Sequence, residues 1–387
     1  MGRAKDMMIE MEESGCGEVP IKWVCAELFG EHRIIVNHIK EYGSEGECSY
    51  THQRTKVLPL EDVVREIVRR FKQYYEAPEQ ECGFDSSVSD EDLVGTGFHK
   101  EYDYILPDNR HIESTSDALI NLGLDLDNEE LFEDIVAAFN NDFWVFVDPY
   151  GSTADEELLF TWNQFSESVC KLKRNGVEDK DIHPKFAHRL NDIVAVVREN
   201  IKELMLTIPE GMPLHRCVYY NPVPEKVEAS NIWAPPADKA SSQRMSRKGQ
   251  SRFYASFDPK TPLEEATNDD KDAVGLLGRF KLKHDVQVLD LSDVPYRSFL
   301  DVEDVFSWHF LTQLAEDISQ PVDERNEPYR YVPTQIMRDV FEKYIPEIQG
   351  IRYKSCKCPA MTNVVMFWDN KTCGEHILME SYKEIRK

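Results

Sequence analysis

The sequence lacks any apolar run long enough to cross a membrane. Its first residues, Met1-Gly2-Arg3-Ala4-Lys5-Asp6, hold no apolar core for a signal peptide. Asp6 stands where a myristoylation motif wants Ser or Thr. The expectation is a soluble cytoplasmic protein with no membrane partner. Paired cysteines are also missing. The nine cysteines are odd in number and scattered, which argues against a secreted disulfide framework and for reduced thiols. Internal repeats are absent. Positive charge is scarce in the first part of the chain: residues 1–205 hold 21 basic and 43 acidic side chains, whereas residues 206–387 hold 24 and 28. So acidic a half repels a phosphate backbone, and no nucleic-acid partner is expected.

What is present can supply ordinary cores, with 41% hydrophobic residues in 387, enough for two domains. Residues 1 to about 18 are polar and read as disordered. A short helical pattern follows Trp23-Val24-Cys25 and ends near Gly43. Val57-Leu58-Pro59-Leu60 starts a longer helix to about Tyr75, with Val63, Val64, Ile67, Val68, Phe71 and Tyr74 on its apolar face. Residues 77–91 read as a loop. Leu131, Phe132, Ile135, Val136 and Phe139 mark a helix over Asn128–Asn140. A turn is expected at Asp148-Pro149-Tyr150-Gly151. Thr153 and Glu156 then form a capping box for a helix with Leu158, Leu159, Trp162 and Phe165. A further helix spans about Lys185 to Leu206. Residues 57–206 are therefore mostly α, and a boundary is expected near Thr207–Gly211.

Pro235–Glu265 is the most informative stretch. It places Arg244 in a polar, basic loop and Tyr254 in an alternating run, Arg252–Phe257, that suits a strand. Glu265 follows Pro262, where a helix can begin. A cation for phosphates, an aromatic ring to stack on and a carboxylate for a sugar hydroxyl together suit a dinucleotide. Arg244, Arg247, Lys248 and Arg252 form a local basic island, which reads either as an anion attractor or as a solvated loop.

This stretch resembles the RES domain, named for its Arg, Glu and Ser. Met212-Pro213-Leu214-His215-Arg216 resembles the family's opening with its first functional Arg. Val288-Leu289-Asp290-Leu291 resembles its following strand, and Tyr331-Val332-Pro333-Thr334-Gln335 the start of its late helix. Gly350-Ile351-Arg352-Tyr353-Lys354-Ser355 is similar to the strand carrying the Ser, and Asn363-Val364-Val365-Met366-Phe367 to the closing strand. The resemblance covers roughly residues 210–370. Val218 stands where the family often has a second basic residue, and Cys356-Lys357-Cys358-Pro359 replaces a small Ser- or Gly-rich turn. The block Phe143–Gly151 with the acidic helix after it resembles the HEPN-like domain found in front of some RES domains.

The resemblance implies an α+β protein: a mostly α N-terminal domain followed by a split β-sheet, ADP-ribosyltransferase-like RES domain. The domains expected are 1–56, a polar N-terminus and degenerate Cys knuckle; 57–206, a HEPN-like helical domain; and 207–387, the RES domain. It implies NAD as substrate, with no resident cofactor. Arg216 and Arg244 would bind diphosphate or ribose, and Tyr254 would stack on nicotinamide. Glu265, favoured over Glu264 by the register of Leu263, would face the ribose. Ser355 would bond nicotinamide or orient Glu265. The leading reading is an NAD-consuming toxin or immune effector acting by hydrolysis or phosphorolysis, restrained by an antitoxin or regulatory protein, with a homodimer as one of the oligomeric states left open. A protein ADP-ribosyltransferase and an inactive scaffold joined to a binding module are the alternatives.

Three other constellations weigh less. Cys25, Cys48, His52 and His32 could in principle supply four zinc ligands, but the plainer reading is a metal-free knuckle with Cys25 in a small core. Arg33 and His38 have the spacing of a HEPN ribonuclease motif, but they precede the helical domain, and chance is the better account. Cys356, Cys358 and Cys373 lack a matching second pair for metal or redox chemistry, so no metal is expected. Ser355 has no evident Ser-His-Asp partners.

Overall fold

The computed structural model describes residues 15–30, 32–78, 112–147, 154–178, 190–266, 270–302, 304–321, 328–358 and 360–386. The expected disorder of residues 1–14, most of the 77–91 loop, the 148–151 turn, the Thr153 cap and residues 185–189 lie outside them. The chain divides into two compact units: Met1–Ala154 with Tyr296–His309, and Asp155–Pro295 with Phe310–Lys387.

The first unit is built around the helix Leu60–Phe71. Its apolar residues recur at helical spacing, and Val63, Val64, Ile67, Val68 and Phe71 are all fully buried. Phe71 meets Phe139 and Trp144 edge-on and stacks on Tyr75. Further helices are Arg33–Tyr42, Thr115–Asn121 and Glu129–Ala137. The last begins where Asn128 accepts a bond from the Leu131 amide at 2.8 Å. Strands β1 (Trp23–Cys25), β2 (Ser44–Glu47) and β3 (Arg54–Pro59) form one antiparallel sheet in the order β1-β3-β2. Strands β4 (Tyr75–Glu76), β5 (Ile112–Ser114) and β6 (Phe143–Phe146) form another, β4-β6-β5. Val57–Pro59, expected as helix, thus belongs to β3. Its backbone pairs with β1 on one side and β2 on the other, and the helix starts just after Pro59.

Two expected boundaries change. Val24, Phe29, Ile35 and Ile39 share one core with Leu60–Phe71, so residues 15–56 are part of the same unit rather than a separate knuckle module. The segment Tyr296–His309, from within the expected RES half, also enters this core through Phe299, Leu300, Val305 and Phe306.

The second unit starts upstream of residue 207. It includes the helices Ala154–Arg174, Asn191–Glu199 and Ile201–Leu204, then β7 (Met205–Ile208). The single helix expected over about Lys185 to Leu206 is, among the described residues, divided at Asn200 and gives way to β7 at Met205. β7 pairs with β11 (Val286–Asp290), so the Pro209–Gly211 signal is a turn inside the sheet, with Gly211 at φ +79°, and not an interdomain linker.

The remaining strands are β8 (Pro213–Tyr220), β9 (Phe253–Ser256), β10 (Val274–Leu282), β12 (Gly350–Lys354), β13 (Thr362–Met366) and β14 (Ile377–Arg386). They form one eight-stranded sheet, β14-β10-β8-β9-β13-β12-β11-β7. Pairing is antiparallel except between β11 and β12, whose connection carries the helices Val305–Ser319 and Val332–Tyr344. β8 pairs with β10 over eight residues but touches β9 through one pair, His215 with Ser256. The sheet is therefore split: β8 and β9 share a single rung and no ladder continues between them.

Candidate active site

The split is where the sequence-predicted residues gather. Arg216 lies on β8 one residue past the rung, and its Nη1 donates to the Tyr254 carbonyl on β9 at 2.8 Å. That bond spans the two strands where their ladder has stopped. Tyr254 is half-buried, and its hydroxyl accepts from the Met245 amide and bonds the Ser246 hydroxyl, each at 3.0 Å. Burial pushes the phenol up from its ordinary value, with the Ser246 and Met245 bonds pulling the other way, so it stays neutral at pH 7.

Glu265 ends the short helix Thr261–Glu265. Asp258 starts that helix: one carboxylate oxygen accepts from the Lys260 and Thr261 amides, and the other from the Thr261 hydroxyl. Burial alone would raise the Asp258 carboxyl, but these bonds outweigh it and hold it below its usual range. The Glu265 carboxylate is then gripped on one oxygen. Oε1 accepts from Ser355 Oγ at 2.5 Å and from Asn363 Nδ2 at 2.9 Å. Ser256 Oγ donates to Asn363 Oδ1 at 2.6 Å, which fixes the amide so that its nitrogen faces Glu265. Ser355, 1% exposed, accepts in turn from the Cys358 amide at 3.0 Å, so the Cys-Lys-Cys turn supports the serine. Glu264 is exposed and points into no such network.

Arg244 is placed differently from expectation. It is 8% exposed, its Nη1 donates to the Ile318 carbonyl at 2.5 Å, and its guanidinium lies over the Tyr331 ring. Its loop is held by the helix Val332–Tyr344. Thr334 bonds the Arg244 carbonyl, Gln335 the Gln243 and Ser246 carbonyls, and Arg338 the Met245 carbonyl. Thr334, Gln335 and Arg338 are all buried, one polar stripe at helical spacing that shapes the loop. The rest of the basic island is largely paired as well: Arg247 with Asp339, and Arg252 with Glu342. The open question between anion attractor and surface loop thus has a mixed answer, since only Lys248 of the four is plainly exposed.

A cavity of ≈ 180 Å³ lies beside the split, lined in part by Arg216, Val218, Lys239, Gln243, Ser246 and Arg252. Of the five predicted site residues only Arg216 is in its wall. Burial lowers the Arg216 guanidinium from its ordinary value, and its Nε has no partner among the described residues. Sequence reasoning missed three contributors. Asn363 was read as part of a strand; an amide in an otherwise apolar strand was the available signal. Tyr353, fully enclosed, has its phenol pushed well above the usual value by burial, next by the field of Tyr254, with Arg244 and Glu265 also acting on it. It therefore lies among the predicted residues. Lys239 carried no signal, being one lysine in a polar loop.

The other constellations stay apart. Cys25 and Cys48 sit with Val57 in a small core. His32 is turned elsewhere: its ring nitrogens bond Ser298 Oγ at 2.8 Å and the Asp125 carbonyl at 3.1 Å. His52 is exposed, at a left-handed φ of 56°. Arg33 and His38 share one helix, where five residues of separation put them about 140° apart around the axis. Cys373 is buried in the core of the second unit, while Cys356 and Cys358 belong to the turn after Ser355. Among the described residues no group of three or more His, Cys, Asp or Glu side chains gathers as a metal site.

Residues 213–383 match the RES domain, and residues 41–181 match HEPN/RES N-terminal domain 1. The chain is a RES-domain protein with a HEPN/RES N-terminal domain. In general terms the RES match supports an NAD-related, toxin-like function. No curated protein matches the chain. Among the described residues no helix is long and apolar enough to cross a membrane.

Proposed function

We propose that the RES domain cleaves the bond between nicotinamide and ribose in NAD. Nicotinamide leaves with the bonding electron pair as a neutral molecule, and the ribose carbon becomes oxocarbenium-like until water, phosphate or a protein side chain supplies a new pair. The observation that carries the reading is the clamp on Glu265. Two buried donors hold one carboxylate oxygen, and Oε2 receives no bond among the described residues. A carboxylate fixed in this way can accept a ribose hydroxyl and stabilise developing positive charge without reorganising. Ser355 serves here as a positioning residue. Arg216 supplies a cation for the diphosphate, and the Tyr254 ring a surface for nicotinamide. Arg244, held inside the fold, acts through the loop that fixes the Tyr254 hydroxyl.

Loss of NAD stops growth, so we read the protein as a cytoplasmic toxin or immune effector restrained by a partner protein. The deciding experiment incubates the intact chain with NAD, with and without phosphate, and resolves the products. Free nicotinamide with ADP-ribose or its phosphate supports the reading. ADP-ribose attached to protein shifts it to a transferase on the same site. Intact NAD after prolonged incubation sinks both.

A further inference from the structure

We infer that His284 and His376 form a chelating pair for a divalent transition metal such as zinc, and that the metal clips strand β14 to the sheet. The inference is independent of the NAD reading, since neither histidine is among the residues given a part in it.

The fold brings the two rings together from far apart in the chain. His284 stands just past the end of β10, and His376 ends the short helix Cys373–His376 directly before β14. The ladder between β10 and β14 ends with Leu282 opposite Ile377, and the Lys283 amide donates to the His376 carbonyl at 2.9 Å. Strand pairing therefore delivers two imidazoles 92 residues apart to one place, where His284 Nε2 and His376 Nδ1 face each other at 3.0 Å. The His376 ring is held flat on Trp368, with centroids 4.3 Å apart and planes 5° from parallel. Neither ring is loose.

The spacing suits one metal ion. Two imidazole nitrogens on a tetrahedral zinc, each at about 2.0–2.1 Å, lie about 3.3 Å apart. The pair has to open by only about 0.3 Å to admit the ion. The orientation suits it as well. His284 Nδ1 lies 3.0 Å from the Asp285 carbonyl, which can only accept, so Nδ1 carries the proton and Nε2 of the neutral ring is bare. A second ring nitrogen tied to a backbone carbonyl is the usual support of a metal-binding histidine. His376 Nδ1 is then the donor between the two rings. On binding, the neutral His376 ring moves that proton to Nε2 by exchange with water, and both facing nitrogens give their lone pairs to the metal.

The surroundings choose the class of ion. Two imidazoles favour zinc, nickel or copper over magnesium, which prefers oxygen ligands. Among the described residues no third His, Cys, Asp or Glu joins the pair, and both rings are only half-buried, so water fills the other positions. Lys283 is the cation that opposes the metal; its Nζ is bonded to the Gly374 carbonyl, and Asp285 and Glu375, both exposed, carry the opposite charge beside the pair. Among the described residues β14 pairs with β10 alone, and most of it is exposed. A metal bridge at its first residue adds a second attachment, and an ion that binds only the paired strands stabilises them.

The test maps histidine modification by diethyl pyrocarbonate on the intact chain, first treated with a chelator and then given zinc or magnesium. Zinc should protect His284 and His376 together, and magnesium neither. In calorimetry His284→Gln and His376→Gln should each bind one equivalent of zinc fewer than the wild type, a difference that cancels binding at other histidines and at thiols. Zinc should also raise the melting temperature of the wild type and leave that of both variants unchanged. Equal modification of the two rings with and without zinc overturns the inference, as does a zinc stoichiometry unchanged in both variants. If a variant fails to fold, the modification map of the wild type decides alone.

Discussion

Three buried polar clusters of the first unit close on themselves, whereas two arginines and a carboxylate at the split of the second unit do not. Asp301 accepts from the Arg33 amide at 2.7 Å and the Ser298 hydroxyl at 2.9 Å, and His32 faces it at 3.6 Å. Asp134 accepts from Lys22 and from the Tyr50 hydroxyl, and Thr115 takes the Trp144 indole N–H. These clusters tie segments distant in sequence into one core and leave nothing for a ligand to satisfy. At the split, by contrast, Arg216 and Arg252 keep buried Nε groups without partners among the described residues, and Glu265 is bonded there through one oxygen. Satisfied polar networks rigidify a fold, and unsatisfied ones mark the places where a fold expects a visitor. On the NAD reading proposed above, chemistry falls to the second unit and scaffolding to the first.

The largest effect that would break this assignment concerns Glu265. Glu265→Gln keeps the shape of the clamp and removes the charge, so NAD cleavage should fall about a hundred- to a thousandfold with an unchanged melting temperature. Glu264→Gln should behave like the wild type, because Glu264 is exposed. A dead Glu264→Gln beside an active Glu265→Gln would show the acid to be misassigned.

Asn363→Ala removes one donor to Glu265 and leaves the charge in place. A hydrogen bond to a charged group contributes about 1.5–3 kcal/mol, so the rate should drop roughly ten- to a hundredfold. The loss should appear in kcat more than in KM if the amide only positions the carboxylate.

A smaller effect separates stability from chemistry. Burial would raise the Asp301 carboxyl, but bonds from His32, the Arg33 amide and Ser298 outweigh this and hold it at about 2. A carboxyl depressed in the folded state stabilises above its unfolded value, near pH 4, and loses that contribution as pH falls toward 2. The contribution is about 2 kcal/mol. In urea titrations Asp301→Asn should therefore be less stable than the wild type at pH 6, and the gap should narrow below pH 4. A gap independent of pH would mean that the carboxylate charge is not what holds the segment Tyr296–His309 in place.

The smallest effect is expected from Arg33→Ala with His38→Ala. Their helix turns them to different faces, so NAD consumption should persist. RNA cleavage that is present in the wild type and lost in the double variant would move the chemistry into the first unit.

Much of this was legible along the chain. The apolar periodicity from Val63 to Phe71 located the central helix, since helical spacing is a local property of sequence. The block order around Arg216, Tyr254 and Ser355 located their strands, and Leu263 set the register that turns Glu265 rather than Glu264 inward. Strand β14 went unanticipated: mostly solvent-exposed, it carries little apolar alternation to betray it. Compact packing divides the chain elsewhere than near Thr207, because Pro209–Gly211 is a tight turn between two strands of one sheet, and Pro and Gly mark such a turn as strongly as they mark a linker.

The sequence by itself determined the central helix, the acidic first half, and the residue types on which the NAD proposal rests. Those follow from local spacing and composition. Tertiary structure alone decided that Tyr296–His309 completes the first unit's core, that the sheet splits between β8 and β9, and that Asn363 shares Glu265 with Ser355. It also decided where each arginine of the basic loop stands. Arg244 and Arg252 look alike in sequence, eight residues apart in one basic loop. Only packing shows that Arg244 reaches the Ile318 carbonyl while Arg252 remains in the cavity wall. A charged side chain's role depends on which groups the fold brings within hydrogen-bonding distance, and those groups here lie some seventy to ninety residues away along the chain.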